Sequence, residues 1–182
     1  MVDKLPGDYI AGFVDGEGCF ALKFRRDVRH ERKNKPVYFY WDIEFAIGLR
    51  GDDREILERI KGTLGCGKIS MDKRGTAQYS VDDIDDLSSK IVPFFEKYQL
   101  RAKKKLDFDL WKEALILLSK NKGLKTGIST TDNPRGSRKT IWSHEDLQRL
   151  VIIQEKMKQI KGKRPEWRWF SRVIEHIREE SH

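Results

Sequence analysis

The chain has 182 residues, 38% of them apolar and 36% charged, and 37 Lys and Arg against 29 Asp and Glu give a formal net charge of +8. At roughly 100–200 residues per domain this is one domain with a sizeable core, and the positive balance favours a polyanionic partner. No apolar run approaches the ~18–20 residues that span a bilayer, and the two cysteines, Cys19 and Cys66, are too few for a disulfide framework or a zinc cluster.

An opening helix carries Tyr9 to Val14 and ends in the acidic turn Asp15-Gly16-Glu17-Gly18. Cys19 to Arg26 then alternates, Phe20, Leu22 and Phe24 against Ala21, Lys23 and Arg25, and a basic loop from Asp27 to Pro36 leads into the clearest strand, Tyr38 to Leu49. There Phe39, Trp41, Ile43, Phe45, Ile47 and Leu49 alternate with Tyr40, Asp42, Glu44, Ala46 and Gly48, so the pair reads as an antiparallel hairpin with a long tip. Asp52 or Asp53 is placed to cap a helix with Ile56, Leu57, Ile60 and Leu64 on its apolar face, stopping at Gly65. Two short strands follow around the turn Asp72-Lys73-Arg74-Gly75. Lys68 to Met71 points Ile69 and Met71 inward; Thr76 to Val81 points Ala77, Tyr79 and Val81 inward, with Gln78 and Ser80 outward. All four strands thus share one polar face.

A further helix carries Ile84, Leu87, Ile91 and Phe95; Asp82, Asp83, Asp85 and Asp86 at its start look like a metal cluster but read as a cap and a solvated first turn. The next runs from about Ala102 to Ser119 with Leu106, Leu110, Trp111, Ala114, Leu115 and Leu118. Lys120 to Thr140 has loop composition. Ser143-His144-Glu145-Asp146 resembles a capping box with Asp in place of Glu, opening a helix through Leu147, Leu150, Val151, Met157 and Ile160. Pro165 starts a last helix with Trp167, Trp169 and Phe170, read as packing on the domain rather than stacking on bases. The class is α+β, with one domain over 1–161 and a helical extension of it over 162–182. The compartment is expected to be intracellular and reducing, with no signal peptide, membrane span or membrane partner.

Ile10-Ala11-Gly12-Phe13-Val14-Asp15-Gly16-Glu17-Gly18 fills the nine positions of a known motif, and the chain resembles the LAGLIDADG homing endonucleases. The similarity continues through Phe45-x-Ile47, Ile56-Leu57, Ile60, the Leu64-Gly65-x-Gly67 turn and the Lys-rich Leu100 to Phe108. It implies an αββαββα core with a four-stranded antiparallel DNA-binding sheet and, here, extra C-terminal helices. It also implies an intron-encoded, site-specific double-strand DNA endonuclease working by metal-dependent phosphodiester hydrolysis with Mg²⁺. The residues make physical sense of this. Ala11 and Gly12 let another helix approach closely, which would set two acidic turns side by side. Such carboxylates repel unless a hard divalent cation lies between them, and Mg²⁺ takes one or two carboxylates plus phosphate oxygens and waters.

The motif occurs once, and in the family one motif per chain implies a homodimer reading a long pseudo-palindromic site. Ile10, Ala11, Gly12 and Val14 are then the expected dimer interface, with Glu17 and Gly16 holding the metal. Family members carry a catalytic lysine where Lys103, Lys104 and Lys105 start the long helix; Lys103 matches best and Lys105 second, although a solvated basic helix start would look the same. Leu49 stands where some relatives have a water-orienting Gln or Asn, leaving Arg50 as a substitute by proximity only.

Lys23, Arg25, Tyr40, Asp42, Glu44, Lys68, Ser70, Gln78 and Ser80 form the expected DNA-reading face, since an antiparallel ribbon fits the major groove. Any half-exposed sheet also has a polar face. Asp42 and Glu44 would repel phosphate, so they fit only if they point at bases or are buried by partners. From Arg101 to Lys139 there are 11 Lys and Arg against four acids, and Arg135, Arg138 and Lys139 are expected at phosphates outside the central groove, with a solvated basic loop as the alternative. Asp27…Glu31-x-Lys33 is superficially similar to another nuclease signature but falls in a loop. The competing functions are an RNA-binding maturase, with intron RNA as partner, and a non-catalytic DNA-binding regulator. Intact Glu17 and Lys103 favour the enzyme.

Overall fold

The computed structural model describes residues 4–28, 30–31, 33, 37–122 and 142–162. In chain order these form α1 (Gly7–Glu17), β1 (Gly18–Val28), β2 (Val37–Arg50), α2 (Arg54–Leu64), β3 (Lys68–Met71), β4 (Thr76–Val81), α3 (Ile84–Asp86), α4 (Val92–Lys97), α5 (Lys104–Lys120) and α6 (His144–Ile160). The strands make one antiparallel sheet in the order β1-β2-β4-β3. Its register opposes Lys23 to Asp42, Arg25 to Tyr40, and Gln78 to both Gly48 and Ser70, so the alternation read from each strand lands on one continuous polar face. The other face builds the core, where Phe20 meets Phe45 at 5.1 Å and Trp111 at 5.2 Å between ring centroids, and Phe45 meets Phe95 at 5.4 Å. Aromatic rings at these spacings bury large areas and fix mutual geometry.

Several local expectations change. Asp53 stands at the N-cap of α2 but accepts no hydrogen bond there, because Gly51–Asp53 form a 3-10 turn and Asp52 pairs with Arg50 at 2.8 Å. Met71 shares the parity of the core side yet is 48% exposed, lying at the end of an edge strand over Gly51. Leu106 is 56% exposed, since the buried stripe of α5 runs through Asp107, Phe108, Trp111, Ala114, Leu115 and Leu118 and leaves residue 106 beside it. Between α3 and α4, Leu87–Ile91 is a π turn in which Val92 N–H bonds back to Leu87 O. Pro93 explains this: it has no N–H for the carbonyl four residues earlier, and its ring crowds that carbonyl, so the turn widens just before it.

α6 docks on α5 and on the outer edge of β1. Ser143 Oγ accepts from Asp146 N–H at 3.1 Å, as a cap should, and the Ser143 side chain also touches the Asp146 carboxylate, with no bond from that carboxylate to the Ser143 N–H among the described residues. The carboxylate turns to α5, accepting from Lys120 Nζ and Asn121 Nδ2 at 3.0 Å each. Asn121 first and Lys120 second hold the Asp146 carboxyl below the usual carboxylate range. Further along, Gln154 Nε2 donates to Leu22 O at 3.3 Å, and Lys161 Nζ donates to Phe20 O while lying 3.4 Å from Asp107 Oδ2. The extension over 162–182, with its aromatic residues, lies outside the described residues apart from Gly162. Among the described residues no helix is long and apolar enough to cross a membrane.

Candidate active site and nucleic-acid interface

α1 has two unlike faces. Ile10, Ala11 and Val14 are buried in the chain's own core, whereas Tyr9, Gly12 and Gly16 are exposed, and a Cβ built on either glycine would meet nothing within 4 Å. This corrects the expected interface set: Ile10, Ala11 and Val14 are committed within the chain, and of the four only Gly12 remains on the open face. Helical geometry is the reason, because positions four apart share a face, so Ile10 pairs with Val14 and Gly12 with Gly16. The helix closes on Gly18, whose N–H bonds to Val14 O. A Cβ there would stand 2.5 Å from Val14 Cγ1 and 2.7 Å from Val14 O, so only glycine lets α1 turn directly into β1. Glu17 is thereby left exposed at the helix end, with no hydrogen bond or ion pair among the described residues.

The preceding acid, Asp15, is fully engaged. Its two carboxylate oxygens accept from Arg101 N–H at 2.8 Å and Ala102 N–H at 3.2 Å, holding the segment before α5 against the last turn of α1. Lys103 follows at the N-cap position of α5, exposed and without an ion pair among the described residues. Lys105 instead pairs with Asp109 at 2.9 Å one turn along. Leu49 packs against the core, and Arg50, on the polar side, is occupied by Asp52. No signal in the sequence singled out Asp15 for this contact, which spans 86 positions.

Glu17 and Gly16 offer a carboxylate and a main-chain carbonyl, hard oxygen donors of the kind Mg²⁺ accepts. Among the described residues no group of three or more His, Cys, Asp or Glu is placed to hold a metal. The acids at the start of α3 are spent otherwise. Asp83 accepts from Asp85 and Asp86 N–H at 3.0 Å each, and the backbone N–H of Asp86 above all holds its carboxyl below the usual range. Asp82 pairs with Lys68, Asp85 with Lys122 and Asp86 with Lys90.

On the sheet's polar face the acids and bases are joined across strands. Lys23 pairs with Glu44, Arg25 with Asp42 at 2.7 Å, and the Arg25 guanidinium lies 5.7 Å from the Tyr40 ring centroid. The partners expected for Asp42 and Glu44 are therefore their own neighbours. Lys68 reaches Asp82 at 2.7 Å, which raises its ammonium above its ordinary value. Ser70 is exposed and Gln78 half-buried. Ser80 is a correction: it has the right parity but is only 3% exposed, in a central strand between Lys68 and Ala46, and a side chain that short does not reach the surface. Where β2 runs beyond the end of β4, Lys23, Arg25, Trp41, Asp42, Glu44 and Asp82 line a concavity of about 410 Å³. Arg135, Arg138 and Lys139 lie outside the described residues.

A four-stranded antiparallel sheet covered by helices on one face, with an acidic turn closing its first helix, defines the class, and the comparisons name it. The family described as LAGLIDADG endonuclease matches residues 10–115, more than half of the chain, and the chain belongs to that family. It is 33% identical over 122 residues to a probable intron-encoded endonuclease 2 of Neurospora crassa, covering 65% of this chain and 25% of the relative. To a probable intron-encoded DNA endonuclease 1 of Mycosarcoma maydis it is 32% identical over 103 residues, covering 57% and 35%. The match thus spans about a quarter to a third of the length of these curated relatives. Among solved structures, the homing endonuclease I-TnaI aligns with a TM-score of 0.63 at 24% identity, over 88% of this chain and 98% of that one. The I-SmaMI LAGLIDADG homing endonuclease bound to cleaved DNA aligns at 0.66 and 23%, over 87% and 46%. The α+β fold read from the sequence is therefore the fold of these enzymes.

Proposed function

We propose that this chain is a homing endonuclease that cuts double-stranded DNA as a homodimer, two copies of α1 packing face to face over a long pseudo-palindromic site. The observation that carries this reading is the bare face of α1, Gly12 and Gly16 with open space above them, ending at an exposed, unpartnered Glu17. Glycines four apart allow two helix backbones to approach closely, and a twofold axis there sets each Glu17 beside that of the partner. The names of the relatives support an intron-encoded DNA enzyme, and the I-SmaMI structure on cleaved DNA supports DNA as the partner.

Glu17 and the main-chain carbonyl of Gly16 would hold a divalent cation, Mg²⁺ by its preference for oxygen, which when bound supplies an activated water and neutralises charge on the phosphate. Glu17 would fix that ion through its carboxylate. Lys103, with its ammonium uncommitted, meets the negative charge that grows on the phosphate in the transition state; Lys105, tied to Asp109, is second choice. Lys23, Arg25, Tyr40, Lys68, Ser70 and Gln78 read base edges in the major groove, with Asp42 and Glu44 aligning the two cations beside them. Arg135, Arg138 and Lys139 hold phosphates and set the salt dependence.

The test begins by selecting the preferred site from a randomised DNA library in the presence of Mg²⁺. Glu17→Gln is expected to lower cleavage by ~10³-fold or more while site affinity stays within ~3-fold. Sedimentation of the bound complex should give two chains per site. Parallel loss of binding and cleavage, or one chain on an intact site, overturns the reading, as does binding to intron RNA without DNA cleavage.

A further inference from the structure

We infer that Asp15 is a positioning residue for cleavage: by clamping the backbone of Arg101 and Ala102, it fixes the place of Lys103 relative to Glu17. The inference rests on the reading of Glu17 and Lys103 as the catalytic pair. Asp15 sits two positions before Glu17 in the last turn of α1, and its oxygens take the N–H groups of the two residues immediately before Lys103. Lys105 N–H to Ala102 O at 3.0 Å and Leu106 N–H to Lys103 O at 3.1 Å make residues 102–106 one hydrogen-bonded turn. Fixing Arg101 and Ala102 therefore fixes the Cα from which the Lys103 side chain springs. Among the described residues, the buried side chain of Leu100 is a second anchor of this connection.

The chemistry asks for a carboxylate. Two separate oxygens accept two backbone N–H groups at once, and their negative charge lies near the positive end of the 17-residue helix α5. An asparagine offers one oxygen and turns its amide donors toward the other N–H, so one bond is lost and a donor faces a donor. Reacting groups tolerate little displacement, a shift of about 1 Å being enough to cost ~10²-fold.

Asp15→Asn should therefore lower the single-turnover cleavage rate on the selected site by ~10–100-fold in Mg²⁺, with DNA affinity within ~2-fold. The decisive comparison is the double variant. If Asp15 acts through Lys103, Asp15→Asn adds nothing once Lys103→Ala is present, and the double variant cuts within ~2-fold of Lys103→Ala alone. A general structural role would multiply the two losses and overturn the inference. Amide hydrogen exchange on the unmodified protein gives an arm independent of any variant's folding and of cleavage. The Arg101 and Ala102 amides should be protected although both residues are exposed, and exchange at free-peptide rates would remove the clamp. An unmodified protein that cuts no selected DNA defeats the functional reading instead, while the exchange result still decides whether the clamp exists.

Discussion

The two faces of the sheet hold their residues by different forces. On the inner face the buried rings of Phe20, Phe45, Phe95 and Trp111 interlock, each in contact with others of the cluster. On the outer face Lys23–Glu44, Arg25–Asp42 and Lys68–Asp82 are single ion pairs in solvent, each exchangeable for a stronger partner. α1 repeats the contrast within one helix, with Ile10 and Val14 turned to the inner side and Gly12 and Gly16 facing outward. What is packed specifies the domain; what is weakly paired or bare is open to solvent.

This contrast can be broken at several points. The largest effect belongs to the inner face: Phe20→Ala removes a ring in contact with four others and should cost ~3–5 kcal/mol in urea unfolding, independent of salt. A cost below ~1 kcal/mol would mean the core is far looser than its geometry. On the bare side of α1, Gly12→Leu meets open space and improves helix propensity, so the isolated chain should melt no lower. Self-association should nevertheless weaken by ~1–3 kcal/mol, read by sedimentation, because two leucines would enter the close contact.

Asp146 is a buried polar exception and titrates accordingly. Its carboxyl is depressed in the folded chain, so its contribution is complete above the unfolded value near ~3.9 and is lost as pH falls through the lower folded value. Asp146→Ala should cost ~1–3 kcal/mol at pH 7 and flatten that part of the acid limb of stability; an unchanged limb would show that the pairing with Asn121 and Lys120 is not formed in solution. The smallest effect is on the outer face, where Glu44→Gln should shift stability by only ~0.2–1 kcal/mol and less in high salt, while changing base preference beside Lys23.

Most of the fold was legible because strand alternation and helix periodicity depend on neighbours in the chain. The register then joined Lys23, Tyr40, Asp42 and Gln78 on one face as each strand's own parity required. The misses arise where position in the assembly decides. Ser80 could not be recognised as covered without knowing that β4 is central, nor Met71 as exposed without knowing that β3 is an edge. The orientation of α1 is legible in the sequence, since Gly12 and Gly16 are four apart and share a face, whereas the small neighbours Ala11 and Gly12 are turned about 100° from each other. Asp15 and Asp146 find partners 86 and 25 positions away, and no local pattern encodes that.

The Asn121–Asp146 bond closes the chain between α5 and α6 on a fixed base: Asn121 ends one helix, Ser143 caps the other, and the carboxylate joins them. The anchor lies in the helix ends themselves, so changes of sequence between 123 and 141 that leave Lys120, Asn121, Trp142, Ser143 and Asp146 in place should keep α6 seated on α5.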